Sequence, residues 1–222
     1  MDVKVNNAIN AAVDAYGRIE NIDSKEFLTS LCGVFDLELP FMDKVERMDQ
    51  VFDDHQNFEE LREVCFDLLM INFFAQDVEK LEEDYLDSEE WEAIEEDTLD
   101  RGTELLNVFL YLRECADDKI KPSLEDYLKE FLLVEEDEFQ DEYSIYEKVI
   151  ANQILVESDY SEIAKVSKTL TSGDELYELF YPLISFFFEQ NPSDEQWSDF
   201  EKNASNKAYE TSIYQVIVNF AK

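Results

Sequence analysis

The stretch Val5-Asn6-Asn7-Ala8-Ile9-Asn10-Ala11-Ala12-Val13-Asp14-Ala15-Tyr16-Gly17-Arg18-Ile19 sets Val5, Ile9, Ala12, Val13, Tyr16 and Ile19 apart by steps of three and four. Side chains so spaced share one face of a helix that repeats every 3.6 residues, whereas a strand needs alternation. The stretch therefore predicts an amphipathic helix that ends near Glu20. The same period recurs along the rest of the chain, so the expected fold class is all-α: a compact multi-helix bundle of about ten amphipathic helices.

Outward from this helix, Asp23 to Glu26 reads as a capping box opening a helix through Phe27, Leu28, Leu31 and Phe35, which Leu37-Glu38-Leu39-Pro40 breaks. Phe41, Val45, Met48 and Phe52 form a third stripe. Asn57 with Glu60 is expected to cap a helix running through Leu61, Val64, Cys65, Leu68 and Leu69 towards Phe74. Ser88 to Glu92 starts an acidic helix, and Gly102 lies near the opening of the apolar run Leu105 to Leu112. Lys121-Pro122-Ser123 is the clearest helix start, with Ser123 as N-cap and Glu125 and Asp126 where the dipole favours anions. Phe139, Tyr143, Tyr146, Val149 and Ile150 make the next stripe, and Ser172-Gly173-Asp174 a turn. Leu176 to Phe187 reads as a buried helix that Pro182 kinks or interrupts. Ser193 with Gln196 forms another capping box. The β-branched run Ile213 to Val218 fits a period of 3.6 better than 2 and closes the chain as helix rather than strand. No fixed repeat interval appears. The expected organisation is a single acidic helical domain over 1–222, with a possible subdomain seam near 118–123.

Fifty-five Asp and Glu against eighteen Lys and Arg give a formal net charge of −37. Low-hydropathy chains of such charge are often disordered, but seventeen Phe and eleven Tyr spread over 222 residues are enough for a core. Four Gly and four Pro leave little material for the turns of a many-stranded protein. The charge repels nucleic acid and anionic membranes and attracts basic proteins. No apolar stretch approaches the ~20 residues of a membrane span, and Met1 to Asn7 lacks the apolar run of a secretory signal. A cytoplasmic location is the expectation. Cys32, Cys65 and Cys115 are odd in number and form no Cys-x-x-Cys pair, so free thiols are expected in place of a zinc ribbon or redox site.

Chemistry has few carriers. His55 is the sole histidine and sits at a helix end, where it suits the C-terminal carbonyls better than a catalytic or metal-binding role. One His cannot build the paired Glu-x-x-His motifs of a di-iron bundle. The acidic runs lack the Gly of an EF-hand loop, no Gly-x-Ser-x-Gly elbow is present, and no glycine-rich phosphate loop exists. The expectation is a non-enzyme without cofactor, catalytic residue or metal site.

Two acid-dense segments remain. Between 77 and 100 only Lys80 opposes a run that includes Glu82, Glu83, Asp84, Asp87, Glu89 and Glu90, with Trp91 interleaved; Glu135, Glu136, Asp137, Glu138, Asp141 and Glu142 form the second. Acids three or four apart on a helix have Cβ atoms ~5–6 Å apart, a spacing comparable to that of phosphates along a strand. Like charges at i and i+4 cost roughly 0.2–0.5 kcal/mol per pair, which argues for a use beyond solubility. These residues are the candidate partner-binding set. In composition alone the chain resembles nucleic-acid mimics and the immunity proteins that neutralise basic nucleases. That resemblance implies a basic, nucleic-acid-binding protein as the partner, without direct binding of nucleic acid or membrane. Two alternatives are an adaptor that binds a partner in apolar grooves between helices, and an enzyme with carboxylate-based chemistry, marked by a deep pocket of converging acids.

Overall fold

Asp2 opens the first helix, α1 (Val3–Glu20), by accepting from the backbone N–H groups of Lys4 and Val5. Asn21 ends it in the left-handed region, with Ile22 N bonded back to Gly17 O, the geometry of a Schellman C-cap. In the computed structural model, residues 1–76, 83–132, 136–174 and 176–222 are described, apart from the side chains of 83–84, 131–132 and 136–143. The fold is all-α, with no strand among the described residues. Contacts divide the chain into two units, Met1–Leu110 and Tyr111–Lys222, and each is described by itself.

The first unit holds α1, α2 (Lys25–Phe35), α3 (Phe41–Asp54), α4 (Arg62–Gln76), α5 (Glu83–Leu86), α6 (Glu89–Thr98) and the first half of α7 (Leu105–Asp118). The stripe read in α1 is its buried face: Val5, Ile9 and Val13 are fully buried. The capping box expected at Asp23 does not form. The helix begins one residue later, after Ser24, which leaves Glu26 a position short of the reach-back site, and Asp23 instead accepts from Lys25 N at 3.1 Å. A 3-10 helix, Gln56–Leu61, stands where Asn57 was expected to cap α4. Its period of three puts Phe58 and Leu61 on one face, both are buried, and Phe58 stacks on Phe27 at 4.2 Å. His55 bonds through Nδ1 to Val51 O at 2.8 Å, the helix-end role its position predicts.

The second unit holds the rest of α7, α8 (Leu124–Leu132), α9 (Glu136–Ala151), α10 (Tyr160–Ser167), α11 (Phe180–Phe188), α12 (Asp194–Asn203) and α13 (Lys207–Phe220). α7 closes on a second Schellman motif: Lys119 has φ 58°, Lys119 N bonds to Ala116 O and Ile120 N to Cys115 O. Ser123 caps α8 by accepting from Asp126 N, and the Ser193–Gln196 box is complete. Pro182 neither kinks nor interrupts a helix. Residues 176–179 are turns and α11 starts at Phe180, so the proline sits in the first turn, where its missing N–H leaves no bond unmade. Being apolar on every side, α11 is the inner element, packed against α10 and α13. The run Ile213 to Val218 is helical, and Tyr214 donates to Glu189 O at 2.5 Å.

Candidate partner-binding surfaces

Ser88 accepts from Trp91 N at 3.1 Å and so starts α6. The helix buries only Ile94 and Thr98, which lie four apart on one face. Asp87, Glu89, Glu90, Glu92, Glu95, Glu96 and Asp97 are exposed. No ion pair among the described residues reaches any of them. Trp91, read as a possible anchor for a partner, is half-buried and packs on Phe74 at 5.3 Å and Tyr85 at 6.2 Å. It therefore fastens α6 to α4 within its own unit. Of the other residues in this first candidate set, Glu82 lies outside the described residues, while Glu83 and Asp84 belong to α5 with their side chains undescribed.

The second set belongs to the other unit. Glu135 lies outside the described residues. Glu136, Asp137, Glu138, Asp141 and Glu142 are on α9, and nothing further is described of their side chains. Further along this helix Tyr146 and Val149 are fully buried, and the Tyr127 and Tyr146 hydroxyls meet at 2.5 Å. Lys148 at the end of α9 lies 3.8 Å from Asp174, which also accepts from Thr171 N in the turn expected at 172–174.

In the first unit, arginines are spent on a polar knot that reading by periodicity misses. Arg62 reaches Asp49, Asp53 and Glu59 at 2.7–3.1 Å. Arg101 meets both oxygens of Asp49 at 3.0 Å and both of Glu63 at 3.1 Å, and its guanidinium lies 4.9 Å from the Phe66 ring centroid. Planar guanidinium suits this bidentate pairing. Beneath it Asp67, 1% exposed, accepts from Thr103 N and from Thr103 Oγ1, while Glu63 accepts from Gly102 N. Burial holds the Asp67 carboxyl well above the usual carboxylate range, partly offset by the Thr103 bonds. The knot ties the loop before α7 to α3 and α4. Its only trace in the sequence is an Asp inside the apolar run 61–74.

All three cysteines are free, and burial pushes their thiols up, away from the thiolate a nucleophile needs. No group of three or more metal-capable side chains occurs among the described residues, and none of the described helices is long and apolar enough to cross a membrane. The class that fold and surface define is an acidic all-α protein. Compared with protein-family models, curated proteins and solved structures, the chain matches none.

Proposed function

We propose that this chain is a non-enzymatic, cytoplasmic acidic protein that binds and inhibits a basic, nucleic-acid-binding protein by offering rows of carboxylates in place of phosphates. The observation that supports this reading is the uncompensated face of α6: six acids from Glu89 to Asp97 are exposed, whereas Arg62 and Arg101 of the same unit are held in the knot on α3 and α4. Fixed like charges on one helix raise the local concentration of a cationic partner and speed its approach. The acid run on α9, Glu136 to Glu142, is by sequence the second candidate row and belongs to the other unit.

The test is capture from a host lysate at low and high salt, followed by competition with duplex DNA and with RNA. A basic protein should be retained at low salt, released as salt rises, and displaced by nucleic acid. Charge reversal at Glu89 and Glu90 should slow association and leave the core intact. Recovery of no basic protein, or of one indifferent to both salt and nucleic acid, removes the reading.

One observation favours the adaptor alternative. A groove of about 510 Å³ in the second unit counts Pro122, Leu124, Val156, Phe187 and Ile154, the last 70% exposed, among its lining residues, beside polar and charged ones such as Lys121, Glu125 and Glu157. Partner binding that ignores salt and is lost in Ile154→Asp would select it.

A further inference from the structure

A cavity of about 310 Å³ opens in the second unit beside the end of α10, the turns before α11 and the start of α13. Ser167, Leu170, Tyr209 and Glu210 line it and are buried, while Lys168, Tyr177 and Glu178 stand exposed at its mouth. Glu210 is the unusual member, a carboxylate only 7% exposed. Its Oε2 accepts from Ser205 N at 2.7 Å, the carboxylate also accepts from the backbone N–H of Asn206, and no ion pair reaches it among the described residues. Lys168, the cation that acts on it electrostatically, donates its Nζ to Asn203 O at 3.0 Å.

A carboxylate withdrawn from water without a cation is unfavourable, and the group responds by holding its proton or by acquiring a partner. Burial pushes the Glu210 carboxyl up to about 7, so near neutrality it is poised between the two. The cavity has room for about ten waters at ~30 Å³ each, or for one short alkyl chain bearing a charged head. An anion would meet one cation, Lys168, already bonded to Asn203 O, against Glu210, Glu178 and the field of a chain carrying −37. A cation meets the carboxylate and two tyrosine rings able to favour positive charge. We propose that this cavity binds a primary ammonium group, with Glu210 as its counter-ion and Tyr177 and Tyr209 as its walls. The same chemistry comes from a free alkylamine or from a lysine side chain of a partner.

The test is titration of the ¹⁵N-labelled full chain at pH 7.5 with n-butylamine, with n-butanol as the uncharged analogue, and with Nα-acetyl-lysine N-methylamide. Butylamine should shift the amide resonances of Ser167 to Leu170 and of Ser205 to Glu210, and butanol should leave them in place. Glu210→Gln removes the charge and keeps one acceptor for the Ser205 and Asn206 N–H groups, and should weaken amine binding by about tenfold or more, as expected for a charge-assisted bond. Lys168→Met, which removes the competing cation, should tighten it. Tighter binding of the lysine derivative assigns the site to a partner's side chain, and tighter binding of butylamine assigns it to a free amine. Equal shifts from butanol, or amine binding unchanged in a Glu210→Gln chain of native circular dichroism, overturns the proposal.

Discussion

Gly102 has φ +82°, and a Cβ placed on it would lie 2.5 Å from Asp67 Oδ1 and 3.2 Å from Phe66 Cδ1. Asp67 cannot swing aside, because it is buried and holds Thr103 through its backbone N–H and hydroxyl. The glycine is thus demanded twice, by backbone conformation and by space. Gly102→Ala should cost about 3 kcal/mol, the sum of left-handed strain and displacement of a buried acceptor. Gly33 makes the contrast. It lies in α2 with nothing within 4 Å of an added Cβ, so Gly33→Ala should stabilise by about 0.5–1 kcal/mol through helix propensity. Urea denaturation of both variants checks the pair, and equal effects of one sign would refute this account of Gly102.

At the scale of the element, α6 carries opposed electrostatic effects. Glu89, Glu90 and Glu92 lie in its first turn, where the helix dipole favours anions. Glu96 stands four residues after Glu92 and near the C-terminus, so it meets both a like charge and the negative end of the dipole. Glu96→Lys converts the repulsive pair into a Glu-before-Lys pair and should stabilise the protein by about 1 kcal/mol. The same change should slow association with a basic partner. Thermal melting read beside stopped-flow association distinguishes the two effects; a variant that melts lower and binds unchanged would show that α6 is neither strained by its acids nor used through them.

At the scale of the whole molecule, 55 acids against 18 bases make folding an act of charge compression. Raising NaCl from about 0.02 to about 0.3 M shortens the screening length from roughly 20 to roughly 6 Å, and the melting temperature at pH 7 should rise. Proton binding acts in the same direction through two buried carboxyls. Native Asp67 and Glu210 are both raised by burial, so each holds a proton at a pH where the unfolded chain has released it, and stability falls as pH rises through that window. For Glu210 the window runs from 4.5 in the unfolded chain to about 7 in the fold, worth about 3 kcal/mol at its upper end. Chemical denaturation from pH 4.5 to 8 should show this decline, limited first by the backbone N–H bonds from Ser205 and Asn206 and then by the nearby Lys168, and Glu210→Gln should flatten it. A variant that keeps the full slope would assign the linkage to other acids.

That this chain is helical is legible in its residues alone, because Val5 to Ile19, Phe41 to Phe52 and Tyr209 to Phe220 each repeat at the period of a helix, a property of neighbours along the chain. Caps with a short-range code were legible for the same reason at Ser123 and Ser193, though not at Asp23 or Asn57. The acid runs were legible as charge, and the exposed face of α6 follows from Ile94 and Thr98 turning inward. What Trp91 does was not legible, since its contacts with Phe74 and Tyr85 depend on how α6 lies on α4. The same holds for the arginine knot, where Arg101 finds Asp49 52 residues away. It holds also for Glu210, one acid among many in sequence, whose desolvation comes from burial at the base of a cavity beside α10 and the turns before α11. Periodicity records which way a side chain faces from its own helix; what it meets there is set by distant residues that only folding brings near.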